Sequence, residues 1–420
     1  MKLKKSLEFY KNLHINRRSL LLTTLIGLGI KKSFSQDRRE TPPSMKTPGS
    51  GFSLYGTPSS SEDKFKRTIT KPFEEALPGN GISTSPLELM EGVITPNGLH
   101  FERHHNGIPI INPSDHKLLV HGLVEKNLLF SLKNIYKYPM ITRTYFIECS
   151  GNSFYNSNLF ETAMNKKCGE IHGLISTSEW TGVKLSLLLN EAQIKKNAYW
   201  IVAEGADASG MTRSIPLEKA LNDVIIALYQ NGEPIRPEQG YPMRLVCPGW
   251  EGNMSIKWLH RIKVTKDPFY TRDETSRYTE LKKNGKSLIF TFPMGVKSII
   301  TKPSSGLKNI EPGPIHISGL AWAGSEVIRK VEISTDSGNT WIDAKLDEKP
   351  VKFKPVRFRL NWIWDGKDTT IMSKASDTNG NIQATRKEWS SNYALGQLYH
   401  NNSIQCWRIE TSGKITNVYI

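Results

Sequence analysis

Cysteine is scarce and scattered in this 420-residue chain: Cys149, Cys168, Cys247 and Cys406 stand far apart, with no Cys-x-x-Cys pair. That excludes a disulfide scaffold and a structural zinc site built on paired cysteines. Without Cys-x-x-Cys-His there is no attachment point for a c-type haem. One pair could bridge in an oxidising compartment, but the spacing does not say which. Long apolar runs are missing too, so no stable membrane span is expected, since a spanning helix needs about 20 apolar residues. Dinucleotide and Walker-type glycine patterns are absent. The net charge is +16, yet no zinc-finger, RRM or KH signature accompanies it, nor any lysine stripe interleaved with aromatics. Nucleic acid is therefore not the expected partner. Residues 1–35 hold eight Lys/Arg against Glu8, which leaves +9 on the remainder. A moderately basic surface of that kind suits an anionic cofactor, substrate or acidic partner protein.

Arg17-Arg18 precede an apolar run from Leu20 to Ile30, closed by Lys31-Lys32. About eleven residues cannot cross ~30 Å of hydrocarbon, but they fit the core of an export signal, and the paired arginines resemble a twin-arginine leader. Residues 1–35 are read as that signal, and the periplasm as the destination. Folded, cofactor-loaded proteins travel by this route. Residues 36–85 are rich in Ser, Pro, Thr, Lys and Gly, and read as an extended arm with little core.

From residue 86 to 270 short β-rich runs (Lys117–Gly122, Thr144–Glu148, Tyr199–Ala203) alternate with amphipathic stretches (Lys184–Ala192, Leu217–Leu228). This is an α+β pattern. Residues 271–284 form a charged connector. Over 285–420 short alternating segments recur every 8–14 residues: Ile315–Leu320, Val327–Ser334, Thr340–Lys345, Val356–Leu360, Thr369–Ala375 and Thr385–Glu388. Turn signals such as Asp336-Ser337-Gly338-Asn339 separate them, as in an immunoglobulin-like β-sandwich.

Four segments place polar residues where folding alone does not require them. Phe101-Glu102-Arg103-His104-His105 runs into Asn106-Gly107-Ile108-Pro109, a turn able to present cationic donors to an anion or simply to solvent. Tyr145–Glu148 leads straight into Cys149-Ser150-Gly151-Asn152, so the thiol stands at a strand end. It could be a soft metal ligand, a nucleophile or a structural cysteine. Asp207 follows Glu204-Gly205-Ala206 and could take N–H donors of a heterocycle or cap a loop. The densest segment runs from Gln239 through Arg244, Pro248-Gly249 and Gly252 to Ser255-Ile256-Lys257-Trp258. Glycines flanked by Arg and Lys suit a phosphate-bearing cofactor: close backbone approach with fixed positive charge.

Taken in this order and spacing, the segments resemble the sulfite oxidase family of molybdopterin enzymes over residues 90–420. Phe101, Arg103 and His105 match its Phe-x-Arg-x-His segment, and Cys149-Ser150-Gly151-Asn152 its Cys-Ala-Gly-Asn. Asp207 follows Glu-Gly as the family's cofactor-binding aspartate does. Arg244, Pro248, Gly249, Gly252, Lys257 and Trp258 match its Arg, Pro-Gly-x-x-Gly and Lys-Trp, and Tyr278 falls 21 residues after that lysine. Within the family the pattern most resembles the molybdenum subunit of bacterial sulfane dehydrogenase.

The resemblance implies a molybdopterin-binding domain followed by a dimerisation sandwich. It implies a molybdenum–molybdopterin cofactor with Cys149 as metal ligand. Cofactor contacts fall on Phe101, Arg103, His105, Asp207, Gln239, Arg244, Ser255, Ile256 and Lys257, and catalytic roles on Arg103 and Tyr278. Implied partners are a c-type cytochrome electron acceptor, a sulfur-carrier protein and a second copy of the chain, or a heterotetramer with a cytochrome subunit. The chain departs from vertebrate sulfite oxidases at three places. Phe154 and Leu395 stand for arginines of their substrate pocket, and Gln239 stands for a histidine. A sulfite dianion would want those charges. Oxidation of carrier-bound sulfane sulfur by oxygen transfer is therefore expected. A dehydrogenase for free sulfite, and a non-catalytic sandwich-containing binding protein, are the alternatives.

Overall fold

Residues 43–46, 51–71, 75 and 77–420 are described in the computed structural model of the chain. The export signal expected over residues 1–35 lies outside them. The chain divides into two units, residues 1–59 and 60–420. The elements around the candidate site all belong to the second.

Three sheets build the first half of that unit. One has the strand order Glu233–Pro234, Ile225–Gln230, Ile175–Lys184, Met140–Glu148, with Arg244–Val246 added to Ile225–Gln230. Its inner strand is buried at consecutive positions from Ile175 to Ser178. Successive side chains point to opposite faces, so both faces are covered there. The second sheet runs Leu128–Ser131, Lys117–Gly122, Leu259–Thr265, Trp200–Gly205, Thr212–Pro216. Only the Lys117–Gly122 and Leu259–Thr265 pair is parallel. The helix Leu185–Ala192 turns Leu185, Leu188 and Leu189 into the core that these sheets share, the i, i+3, i+4 spacing of an amphipathic helix. A small antiparallel sheet joins Thr68–Thr70, Gly81–Thr84 and Glu102–His104. The arm thus contributes two strands before residue 85.

Beyond residue 289 two sheets face each other. One contains Lys297–Lys302, Gly313–Trp322, Val356–Trp364 and Lys345–Leu346. The other contains Ile342–Asp343, Ile328–Ser334, Thr369–Asp377, Cys406–Ile409 and Ile415–Val418. Ile299, Trp322 and Phe358 from the first meet Val331, Ile371 and Trp407 from the second in one buried cluster. This is the expected β-sandwich. Phe146 and Ile175 of the first half enter the same cluster, so apolar packing is continuous between the halves.

Two expectations of local structure differ. The amphipathic reading of Leu217–Leu228 holds only for the helix Leu217–Asn222. Ile225–Gln230 is a strand, and the β-branched run Val224-Ile225-Ile226 is buried in the core. Thr385–Glu388 is not a strand but the start of the helix Arg386–Asn392. Thr385 Oγ1 accepts from the Glu388 amide, and the Glu388 carboxylate accepts from the Thr385 amide. That reciprocal pair is a capping box.

Candidate active site

Apart from Arg103, which lies within the strand Glu102–His104, each singled-out residue stands at the end of an element or in the loop beside it. Cys149 follows the strand Met140–Glu148, and Asp207 turns between Trp200–Gly205 and Thr212–Pro216. Gln239 closes the short helical turn Pro237–Gln239, and Arg244 opens the strand Arg244–Val246. Ser255, Ile256 and Lys257 lie between the turn Gly252–Met254 and the strand Leu259–Thr265. Tyr278 follows the helix Arg272–Thr275. These ends converge. Phe101, Arg103, His105, Cys149, Asp207, Gln239, Arg244, Ser255, Ile256, Lys257 and Tyr278 all line one cavity.

The cavity is cationic. Arg244 is 3% exposed; its guanidinium donates to the Gln239 carbonyl (2.9 Å) and the Ser255 carbonyl (2.9 Å). Burial lowers its pKa to about 9. Lys257 Nζ donates to the Arg103 carbonyl (3.2 Å), the Glu238 carbonyl (3.1 Å) and His104 Nδ1 (2.9 Å). Burial holds it well below the usual lysine range, Arg244 adds to that, and Asp207 opposes it. Among the described residues, neither these two nor Arg103 forms an ion pair with a carboxylate. Unpaired buried cations are costly, and a multiply charged anionic ligand would offset that cost. Two buried polar atoms on the lining also lack partners: Arg244 Nε, a donor, and His100 Nε2. His100 Nδ1 bonds the Phe101 carbonyl, so Nδ1 carries the proton and Nε2 is left as an acceptor. A pterin bearing a phosphate offers both donors and negative charge. The residues present therefore fit that group.

At the other side of the cavity the hydrogen-bond directions are fixed by chemistry. Arg103 and Arg277 both donate to His105 Nδ1, at 3.1 and 3.2 Å. Guanidinium groups only donate, so Nδ1 is the acceptor and the ring proton is on Nε2. That proton is directed at Tyr278 Oη, 2.9 Å away. Tyr278 therefore accepts from His105 and keeps its own proton for a group in the cavity. Burial, reinforced by Arg103 and Arg277, lowers the His105 pKa to about 2, so the ring stays neutral. Burial also raises the Tyr278 hydroxyl well above the usual phenol range. Its backbone is left-handed, with φ +51°, a strained conformation for a bulky residue. The Cys149 thiol is raised by burial, with Arg103 opposing. A thiolate there requires a positive centre beside it.

Sequence reasoning missed several residues. His100, Met211 and Asn253 also line the cavity, and Arg277 and Arg213 stand behind it, against His105 and the Tyr278 ring. No motif marks these residues; they come together only by folding. Phe154 does not line the cavity; its ring packs edge-on against Tyr155 and Phe160. Leu395 is 70% exposed.

Fold and cavity together define a molybdopterin-binding oxidoreductase joined to a dimerisation sandwich. Residues 105–272 match the oxidoreductase molybdopterin binding domain, and residues 289–406 the Mo-co oxidoreductase dimerisation domain. The chain belongs to the sulfite oxidase family of molybdopterin enzymes. Its fold superposes on the crystal structure of the sulfane dehydrogenase SoxCD from Paracoccus pantotrophus with a TM-score of 0.87 and 38% identity, covering 91% of this chain and 98% of that one. Mitochondrial sulfite oxidase of Rattus norvegicus is 28% identical over 357 residues, 76% of this chain and 63% of the relative. Nitrate reductase [NADH] 1 of Arabidopsis thaliana is 28% identical over 388 residues, 80% of this chain and 40% of the relative. The chain thus spans under two thirds of the length of these curated relatives.

Proposed function

We propose that this protein is a periplasmic molybdenum-dependent dehydrogenase that oxidises sulfane sulfur held on a carrier protein and passes the electrons to a c-type cytochrome. The observation that carries this reading is a cavity lined by Cys149 and by three cations without carboxylate partners. Among the described residues Arg103 is the arginine on the lining beside Cys149, with Arg277 behind it on His105; Phe154 and Leu395, read from the sequence as standing for substrate arginines of vertebrate sulfite oxidases, lie off that lining. When bound, molybdenum–molybdopterin supplies oxygen transfer to sulfur and a two-electron sink. The chain's own residues do the rest. Cys149 provides a soft thiolate ligand. Arg244 and Lys257 balance the phosphate, and Asp207 takes ring N–H donors. Phe101, Gln239, Ser255 and Ile256 wall the cofactor, and Gln239 keeps Arg244 in place through its carbonyl. His105 and Arg103 hold Tyr278 so that its hydroxyl donates to developing negative charge. The likeness to sulfane dehydrogenase supports the substrate reading, and the dimerisation-domain match supports pairing of two chains. The leader read over residues 1–35 supports export.

Purified holoprotein should carry about one molybdenum per chain, and Cys149→Ser should abolish turnover while leaving the fold. Assayed side by side, a persulfide on a carrier cysteine should be oxidised far better than free sulfite. A micromolar Michaelis constant for free sulfite would instead establish a sulfite dehydrogenase.

A further inference from the structure

The peptide that carries Cys149 is fastened from the other half of the molecule. Glu148, 1% exposed, accepts from Trp322 Nε1 at 2.7 Å and lies 3.5 Å from Lys297 Nζ. Lys297, equally buried, also donates to Ser153 Oγ at 2.6 Å and to the Asn401 carbonyl at 2.8 Å. On the far side of the thiol, the His400 amide donates to the Ser150 carbonyl at 2.9 Å, and the His400 ring bonds Glu251 at 2.7 Å. Positions 148, 150 and 153 are therefore held by groups from beyond residue 289.

Two further observations say that this is more than packing. Ser153 and His400 both take left-handed backbone conformations, with φ of +69° and +56°. Such conformations persist only where the surroundings over-determine them. The Lys297–Glu148 pair is fully desolvated, and a buried ion pair contributes little stability over apolar residues of similar volume. Its geometry, which fixes the residue next to the thiol, is the better reason for its presence.

We propose that Lys297 and His400 are positioning residues of the redox site. They set the direction in which Cys149 presents its sulfur, so that the sandwich forms part of the metal-ligating apparatus. This rests on the reading of Cys149 as thiolate ligand. Outer contacts to metal ligands are typically worth 10–100-fold in activity.

The test uses Lys297→Met and the charge-neutral double variant Glu148→Gln/Lys297→Met, with Lys297→Arg as the conservative control. Three quantities are read: the sulfur-to-metal charge-transfer absorption of the holoprotein, the alkylation rate of Cys149 in cofactor-free protein, and kcat against KM. The double variant should keep its cofactor, shift the absorption band, alkylate about tenfold faster and lose about tenfold in kcat at constant KM. Lys297→Arg should recover part of each. A double variant with wild-type band position and wild-type alkylation overturns the proposal. Should it fail to fold, His400→Gln is judged by the same readouts. If the wild type shows no band that disappears in Cys149→Ser, the ligand reading fails, and alkylation alone then judges the positioning.

Discussion

At Tyr278 the direction of one hydrogen bond decides what the side chain can do. With Nδ1 of His105 occupied by two guanidinium groups, the phenol oxygen is an acceptor toward the protein and a donor toward the cavity. Tyr278→Phe removes that donor, and with it the acceptor of the His105 Nε2–H, while keeping the ring contacts of Arg213 and Tyr399. By comparison with the loss of one oriented donor to developing charge, kcat should fall about 10²–10³-fold. Molybdenum content should stay unchanged in metal analysis. An unaffected kcat would remove Tyr278 from the reaction. Residues of this kind were legible before the fold because each sits in a short run with its own signature, as Cys149 does before Ser-Gly-Asn. Arg277, Arg213 and His400 were not. A lone charged or aromatic residue in a polar stretch looks like solvated surface until folding brings it to Tyr278 or Glu251.

Elements were legible where one period dominated, as in the helix Leu185–Ala192 or the strand Lys117–Gly122. Readings failed where two local preferences competed. Leu217–Leu228 satisfies helical spacing throughout, but the β-branched run Val224-Ile225-Ile226 belongs to a sheet core. Thr385–Glu388 reads as a short strand until its capping box is recognised. Close approach of backbones is another property hidden from periodicity. Gly249 has φ +74°, and an added Cβ would meet the Gly324 carbonyl oxygen at 2.1 Å, while one on Gly324 would meet the Gly249 oxygen at 2.2 Å. The loop between Arg244 and Lys257 thus rests on the sandwich through two glycines in close backbone contact. Gly249→Ala should lower the melting temperature and the molybdenum content together. Gly285→Ala has similar strain at φ +79° but open space around its Cβ, and should do much less. Equal effects in thermal melts would show that backbone strain, not the close approach, governs Gly249.

For the whole molecule, burial of neutral histidines sets a limit on the acid side. His100 and His172 are lowered to about 3, and His104 and His105 to about 2, each mainly by burial. The unfolded chain binds protons at these residues near pH 6.5, while the folded chain binds them only far lower. Stability is therefore full above about pH 6.5 and falls as pH drops below it, by up to ~1.4 kcal/mol per histidine for each pH unit. His400 acts the other way, because Glu251 raises it; its contribution is present at low pH and is lost as pH rises. Buried Glu88, Glu274 and Asp223, also raised, add to that opposition at the acid end. His116 and His121 are lowered as well, so six histidines against one favour a net loss of stability as pH falls toward 5.5. Three of the six line the cavity, where Arg103, Arg244 and Lys257 already repel any added positive charge. Acid should therefore strike the site first. Melting followed between pH 7.5 and 5.5 should show a midpoint falling by several degrees, with cofactor release at or below the unfolding temperature. A midpoint that holds or rises toward pH 5.5 would mean that the carboxylates and His400 outweigh the cavity histidines.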